Sequence, residues 1–170
     1  MNLRACATLI LLVGAWPARS EPLQLALWDP VQLRPASASI EGLRLNLIYG
    51  RNRNLTGLDV GLVNRLDGSC TGWQGGAVNQ VKGSFTGIQD GWLYSEAGTS
   101  LTGLQMGAVT RSGSLSGIQW GLVNLGGKVS GLQLGLYNQC SSLQGLQVGL
   151  LNHETGNKDW PFLPLARWSF

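Results

Sequence analysis

The sequence predicts an all-β protein, a β-solenoid of about eight coils of 14–16 residues with a cap at each end. Three observations lead to this prediction. Eight similar units recur over residues 42–152. Apolar and polar residues alternate within each unit with the period of a β-strand, and no part of the repeats has helical periodicity. A short unit that returns at nearly constant spacing is typical of a solenoid, in which each unit is one coil and like residues stack on like.

Each repeat unit begins at a glycine, and positions are counted from that residue. The consensus is G-φ-Q-x-G-φ-φ-N, where φ is apolar, followed by a polar turn, an apolar residue and Thr or Ser. The units begin at Gly42, Gly57, Gly72, Gly87, Gly103, Gly117, Gly131 and Gly145. Glycine and asparagine in the turns tolerate positive φ, so each unit has a natural place to bend.

Inside and outside are predicted from the polarity of the columns. The second and sixth positions are apolar in every unit, so their side chains, Leu122 among them, are expected to face the core. A further apolar column, two residues before each first glycine, predicts a second short strand or the tail of a longer one. The third position is polar throughout and is expected to form an exposed ladder that contacts a ligand. The candidate binding residues are its six glutamines: Gln74, Gln89, Gln105, Gln119, Gln133 and Gln147.

An eight-stranded antiparallel β-barrel is the alternative fold, with one strand and one turn in each unit. Trp168 and Phe170 alternate at the carboxyl end, as in outer-membrane barrels, and support it. Asp90 on the lipid face and the equally short turns argue against it. Cys70 and Cys140 distinguish the two folds, because five coils of about 4.8 Å would hold them roughly 24 Å apart, too far for a disulfide.

Residues 1–20 are predicted to be a cleavable secretory signal. Arg4 precedes an apolar stretch of the length of a signal-peptide core, and small residues stand at −3 and −1 before Glu21. Residues 21–40 are predicted to be an N-terminal cap, 41–157 the repeat β domain and 158–170 a C-terminal cap, since solenoid ends need covering. Without the signal the chain has ten basic and nine acidic residues. A net charge near zero argues against nucleic acid as a partner.

Few residues in the chain are suited to catalysis. The single histidine, His153, has no obvious partner beyond Glu154, and the cysteines lack zinc spacing, so no metal and no cofactor are expected. The chain is predicted not to be an enzyme, although scattered carboxylates leave an enzyme on a solenoid scaffold as a third hypothesis. The leading prediction is a non-catalytic exported protein with a structural or binding role. Its predicted location is the cell surface, outer membrane or periplasm, and its partner an unidentified protein or polysaccharide. An integral outer-membrane barrel is the alternative.

The repeats resemble a family of bacterial exported surface repeat-containing proteins of unknown function. The resemblance rests on residues 42–46 and 57–64, on the later G-L-Q-x-G-L-x-N units, and on residues 161–164 and 168–170 near the end. It implies export and an association with the cell surface or outer membrane, and it implies no activity. Four residues depart from the usual residues of their columns: Arg44, Asp59, Asp90 and Thr110.

Overall fold

A computed structural model describes residues 20–170, and in it the chain is a β-solenoid of stacked coils. The predicted secretory signal lies almost wholly outside the described residues. The described strands pair into one sheet in the order β10-β9-β8-β7-β6-β5-β4-β3-β1-β2, with β9 also pairing with β7. The strands are β1 (Glu21–Trp28), β2 (Val31–Gln32), β3 (Ile40–Asn52), β4 (Leu55–Leu66), β5 (Cys70–Val81), β6 (Ser84–Ala97), β7 (Ser100–Leu134), β8 (Tyr137–Cys140), β9 (Ser142–Glu154) and β10 (Phe162–Ser169). No helix within residues 20–170 is long and apolar enough to cross a membrane.

Neighbouring coils run parallel and in register. Asp59 of β4 lies opposite Gln74 of β5, and the same pairing of like positions continues from β5 to β6 and from β6 to β7. The solenoid prediction is therefore confirmed, and the antiparallel barrel is excluded. Cys70 and Cys140 are both buried and free, as a solenoid requires.

The first glycine of each unit is required by the stacking. At Gly117 φ is +141°, and a Cβ there would lie well under 3.0 Å from the carbonyl oxygen of Gly103 in the preceding coil. The same geometry recurs at all eight first glycines. L-residues rarely adopt this conformation, so only glycine lets the coils approach to hydrogen-bonding distance here.

The core combines an apolar column with polar ones. The column two residues before each first glycine is buried along its whole length: Ile40, Leu55, Cys70, Phe85, Leu101, Leu115, Val129 and Leu143. The glutamines of the third position are equally buried, whereas most side chains of the sixth position are exposed and those of the second are exposed or half-buried. The predicted orientation of the second, third and sixth positions is therefore wrong. Alternation continues unbroken through the first glycine, so it shows which residues share a side of the strand but not which side is buried.

The end segments extend the stack. β1 pairs in parallel with β3, with Leu23 opposite Leu43 and Gln24 opposite Arg44. At the other end β10 pairs with β9 in the antiparallel sense, with Arg167 opposite Gln147. The solenoid is thus continued at each end by a strand that follows its columns.

Candidate functional site

The predicted exposed glutamine ladder is inside the solenoid. The side chains of all six candidate residues are 0% exposed: Gln74, Gln89, Gln105, Gln119, Gln133 and Gln147. They cannot contact a ligand from solvent, and the prediction that they form a binding surface is wrong. Burial is tolerated because each carboxamide finds donors and acceptors in the stack.

The glutamines form one directional chain of hydrogen bonds, named here the glutamine ladder. Gln89 Nε2 donates to Gln74 Oε1 at 2.9 Å, and Gln105 Nε2 donates to Gln89 Oε1 at 2.7 Å. The pattern continues to Gln147, always toward the preceding coil. The second N–H of Gln105 donates to the carbonyl of Arg111 at 3.1 Å. Each coil is therefore tied both to its neighbour and across its own interior.

Arg44 and Asp59, which depart from the consensus, end the glutamine ladder. Gln74 Nε2 donates to Asp59 Oδ2 at 2.7 Å. Arg44 donates to both Asp59 oxygens, at 2.7 Å from Nε and 2.6 Å from Nη2, and both side chains are fully buried. A carboxylate paired with arginine accepts hydrogen bonds and donates none, so Asp59 fixes the direction in which every glutamine of the ladder donates. The two-pronged contact with Arg44 compensates its charge within the core.

The other end of the glutamine ladder also meets an arginine. Arg167 of β10 is nearly fully buried, donates to the Glu154 carboxylate and the Trp160 carbonyl, and lies opposite Gln147 in the strand register. Among the described residues Gln147 Oε1 and Arg167 Nε have no hydrogen-bond partner. A second ion pair, between the buried Arg167 and the half-buried Glu154, therefore lies at the carboxyl end of the stack.

A second ladder, the asparagine ladder, occupies the eighth position and runs the opposite way. Asn64 Nδ2 donates to Asn79 Oδ1 at 2.8 Å, toward the following coil, and Asn138 Nδ2 donates to Asn152 Oδ1 at 2.8 Å. Asn152 Nδ2 ends the ladder on the carbonyl of Leu163 in β10, at 3.2 Å. Because the two ladders point in opposite directions, their amide dipoles oppose each other along the axis.

Two exceptions to the asparagine ladder keep a side-chain bond, and a third, Ser95, interrupts it by donating to the main-chain carbonyl of Met106. Thr110 replaces asparagine in its coil and donates from Oγ1 to Asn124 Oδ1 at 2.7 Å. In the first coil Gly50 lies opposite Asn64, and the Asn46 side chain fills the space where a Gly50 Cβ would be. Asn46 Nδ2 then donates to Asn64 Oδ1 at 2.8 Å. In the first coil, glycine and asparagine have therefore changed places. Asn46 stands where the other units have glycine, Gly50 stands where most have asparagine, and the hydrogen bond to the next coil is kept.

The outer surface carries the candidate site, a set of exposed apolar columns named here the outer apolar face. It consists of the second, fourth, sixth and seventh positions of the eight units. Its most exposed members include Leu47, Leu58, Leu62, Trp92, Trp120, Leu122, Leu136 and Leu150. Within these columns Asp90 is the one charged residue. The apolar columns are evident in the sequence, but their polarity alone predicts core.

The end strands extend this face. Leu23 and Leu25 of β1 lie opposite Leu43 and Leu45. Trp168 of β10 lies opposite Leu146 and is strongly exposed, so it prolongs the second-position column. The eight coils with β1 and β10 make ten layers, and at about 4.8 Å between layers the face is roughly 45 Å long.

A groove crosses the outer apolar face between two tryptophans. Trp92 and Trp120 are 64% and 61% exposed and stand on either side of a depression of about 600 Å³. Its floor includes Ala108 and Gly121, whose small size leaves the space open. A second apolar groove of about 640 Å³ lies at the amino end, against β1 and β2. Both grooves are shaped for apolar groups.

One cluster of charged side chains lies at the turns, outside the four columns. Asp67, in a turn, contacts Arg51 at 2.7 Å, Lys82 at 2.9 Å and Arg65 at 3.5 Å. Hydrogen bonds from Lys82 and Arg51 lower the pKa of Asp67 to about 2. The cluster holds three positive charges against one carboxylate, so it is a net positive, polar and solvated part of the surface.

The residues considered for catalysis have other contacts. Asp59 belongs to the glutamine ladder, and His153 stacks on Phe162 with ring centroids 4.1 Å apart while its Nδ1 lies 3.1 Å from the Tyr137 hydroxyl. Residues 20–170 contain no group of three His, Cys, Asp or Glu side chains placed to hold a metal. No family model, curated protein or solved structure matches the chain. Function is therefore inferred from the geometry of the outer apolar face.

Proposed function

We propose that the protein is a non-catalytic, exported surface or envelope protein that binds through its outer apolar face. The observation that carries this proposal is the face itself, which runs over the eight coils and the two end strands β1 and β10 with one charged residue in its repeat columns. Soluble monomers rarely expose a continuous apolar patch larger than a few hundred Å². An exposed apolar surface of this extent is typical of a site that binds another protein or a membrane.

The interior supports a structural role beside the binding role. The glutamine ladder connects each coil to the next through side chains as well as through the main chain, and the asparagine ladder adds side-chain bonds among the first three and the last four coils. The face is therefore carried on a stiff support. The amides of the two ladders are buried and hydrogen-bonded to one another, so they are not free to bind a ligand. We therefore assign binding to the exposed apolar columns. A polysaccharide partner, which would need exposed hydrogen-bonding groups, loses its main support.

The proposed location rests on the sequence. Residues 1–20 have the pattern of a cleavable signal, and the repeats resemble exported surface proteins of bacteria. The proposed location is therefore the cell surface, the outer membrane or the periplasm.

Fractionation of cells that express the chain tests this proposal. We expect the protein in the envelope or extracellular fraction, with Glu21 as its first residue by mass spectrometry. The control is a variant with Leu11→Arg and Leu12→Arg, which interrupts the apolar stretch of the signal and should leave the protein unprocessed in the cytoplasm. Recovery of the unaltered chain in the cytoplasm with its first twenty residues intact would overturn the proposal of export.

A further inference from the structure

Resting on the proposed function, we infer that the outer apolar face is a lipid-binding surface. The solenoid lies on a membrane with its axis parallel to the bilayer plane, and the groove between Trp92 and Trp120 receives an acyl chain. Four features favour lipid over a protein partner: main-chain hydrogen bonding, the polarity of the face, its tryptophans and its charges.

The main chain under the face is already satisfied. Each internal coil is hydrogen-bonded to a coil on both sides, as between β4, β5 and β6. Contact with hydrocarbon requires this, because lipid tails supply neither donors nor acceptors. The apolar columns therefore meet the central condition for lying in a bilayer surface.

The side chains of the face offer little to a protein partner. Protein interfaces contain about one hydrogen bond for every 100–200 Å² of buried area. Apart from Asp90, Tyr137 and the indole N–H groups, the four columns consist of aliphatic residues, methionine and glycine. A partner protein would find few hydrogen-bonding groups in these four columns, whereas lipid tails need none.

Tryptophans stand out from the face. Trp92, Trp120 and Trp168 are each more than 60% exposed. The indole ring has an apolar body and one N–H, and tryptophan is enriched where membranes meet water. On the face these side chains are placed to enter the boundary between headgroups and acyl chains, as in proteins that bind one leaflet.

The charges predict the character of binding. The apolar columns contain no lysine or arginine, and the cationic cluster of Arg51, Lys82 and Asp67 lies at the turns, outside these columns. Attraction to anionic headgroups is therefore weak, and binding depends on apolar area. Asp90, in the fourth of the eight units, lies near the middle of the face and would approach its own copy in a symmetric dimer centred there, which disfavours a second copy as the occupant.

Vesicle flotation of the full chain tests the inference. Two compositions are used, phosphatidylcholine alone and an equimolar mixture with phosphatidylglycerol, each at low and high salt. We expect flotation with both, little change with salt, and a blue shift of tryptophan fluorescence. Quenching by lipids brominated on the acyl chain should be strong.

The decisive variant is Trp92→Ser with Trp120→Ser, and the matched control is Trp160→Ser. Trp160 is as exposed but lies in the turn before β10, outside the columns of the face. Burying one large apolar side chain changes a partition coefficient by about tenfold or more. The double variant should therefore lose at least about tenfold in partitioning relative to the control, while circular dichroism shows both folded. All variants share residues 1–20, so the contribution of that segment cancels.

Two results would overturn the inference. One is a double variant that partitions as well as the Trp160→Ser control. The other is a wild-type protein that does not float with vesicles and forms dimers in analytical ultracentrifugation, while the double variant stays monomeric. That result would assign the face to a second copy of the chain. Failure of the proposed function is distinguishable, since a cytoplasmic protein that binds vesicles would overturn export alone.

Discussion

Replacing Gln119 by leucine should destabilise the protein strongly, whereas replacing Leu122 by serine should have little effect. Gln119 is fully buried in the glutamine ladder, and Leu122 is 57% exposed on the outer apolar face. Hydrophobicity alone would predict the reverse order. The pair of variants therefore tests which side of the strand faces the core.

The magnitude follows from the contacts of Gln119. Its Nε2 donates to Gln105 Oε1 at 2.8 Å and to Ser112 Oγ at 3.2 Å, and its Oε1 accepts from Gln133 Nε2 at 2.7 Å. Leucine has a similar size but leaves the Gln105 oxygen without a donor inside the core. An unsatisfied buried polar group costs about 1–3 kcal/mol, and with the lost bond to Gln133 the total should be about 2–4 kcal/mol. The exposed Leu122→Ser change should stay below about 1 kcal/mol.

Urea unfolding followed by circular dichroism measures both variants. The midpoint for Gln119→Leu should fall clearly with little change in the slope of the transition, and that for Leu122→Ser should remain near the wild-type value. Gln119→Asn serves as a control that keeps a carboxamide but shortens its reach, and it should also be destabilised. If Leu122→Ser proves more harmful than Gln119→Leu, the orientation of the columns is refuted.

Two further predictions concern buried ionisable groups. Asp59→Gln leaves Arg44 buried without its counter-charge and should lower the free energy of unfolding by about 3–5 kcal/mol. Adding Arg44→Gln restores the consensus in both coils and should recover at least half of this loss in a double-mutant cycle measured by urea unfolding. No recovery would refute the pairing of Arg44 with Asp59. Burial raises the pKa of the Cys70 and Cys140 thiols to about 12 from 9.0. Stability should therefore be unaffected by these thiols below pH 9 and fall by about 1.4 kcal/mol per pH unit for each thiol above it, because only the unfolded state ionises. The slope should flatten in a Cys70→Ala, Cys140→Ala variant, and an unchanged slope would refute the assignment.

The fold was predictable because it depends on spacing. The first glycines recur every 14–16 residues, and at positions such as Gly117 the close approach of the preceding coil admits no side chain. Glycine at this constant spacing is therefore a direct consequence of the stacking of the coils. The free state of Cys70 and Cys140 followed from the same spacing, since it separates them along the axis.

The candidate site was not predictable from polarity. Period-two alternation groups residues by side but does not say which side is buried. Glutamine is usually exposed, and the sequence contains no local sign that Gln119 meets Gln105 and Gln133 in neighbouring coils. One feature of the sequence did indicate burial. The third position is glutamine in six consecutive units, whereas solvent-exposed positions tolerate many different polar residues. Amides that bond their own copies in a parallel stack explain both the burial and the uniformity.

The exceptions to the repeat follow from the direction of the ladders. A chain of amides that all donate the same way must end on an acceptor at one end and leave an unused acceptor at the other. Asp59 supplies the first, with Arg44 compensating its charge, and the buried Arg167 lies opposite the last amide, Gln147. Uniform repeats cannot provide such ends, so the residues that break the consensus are those that set where the stack begins and stops. With the amides and one apolar column filling the interior, the four apolar columns of the outer apolar face are left exposed, and they form the proposed binding surface.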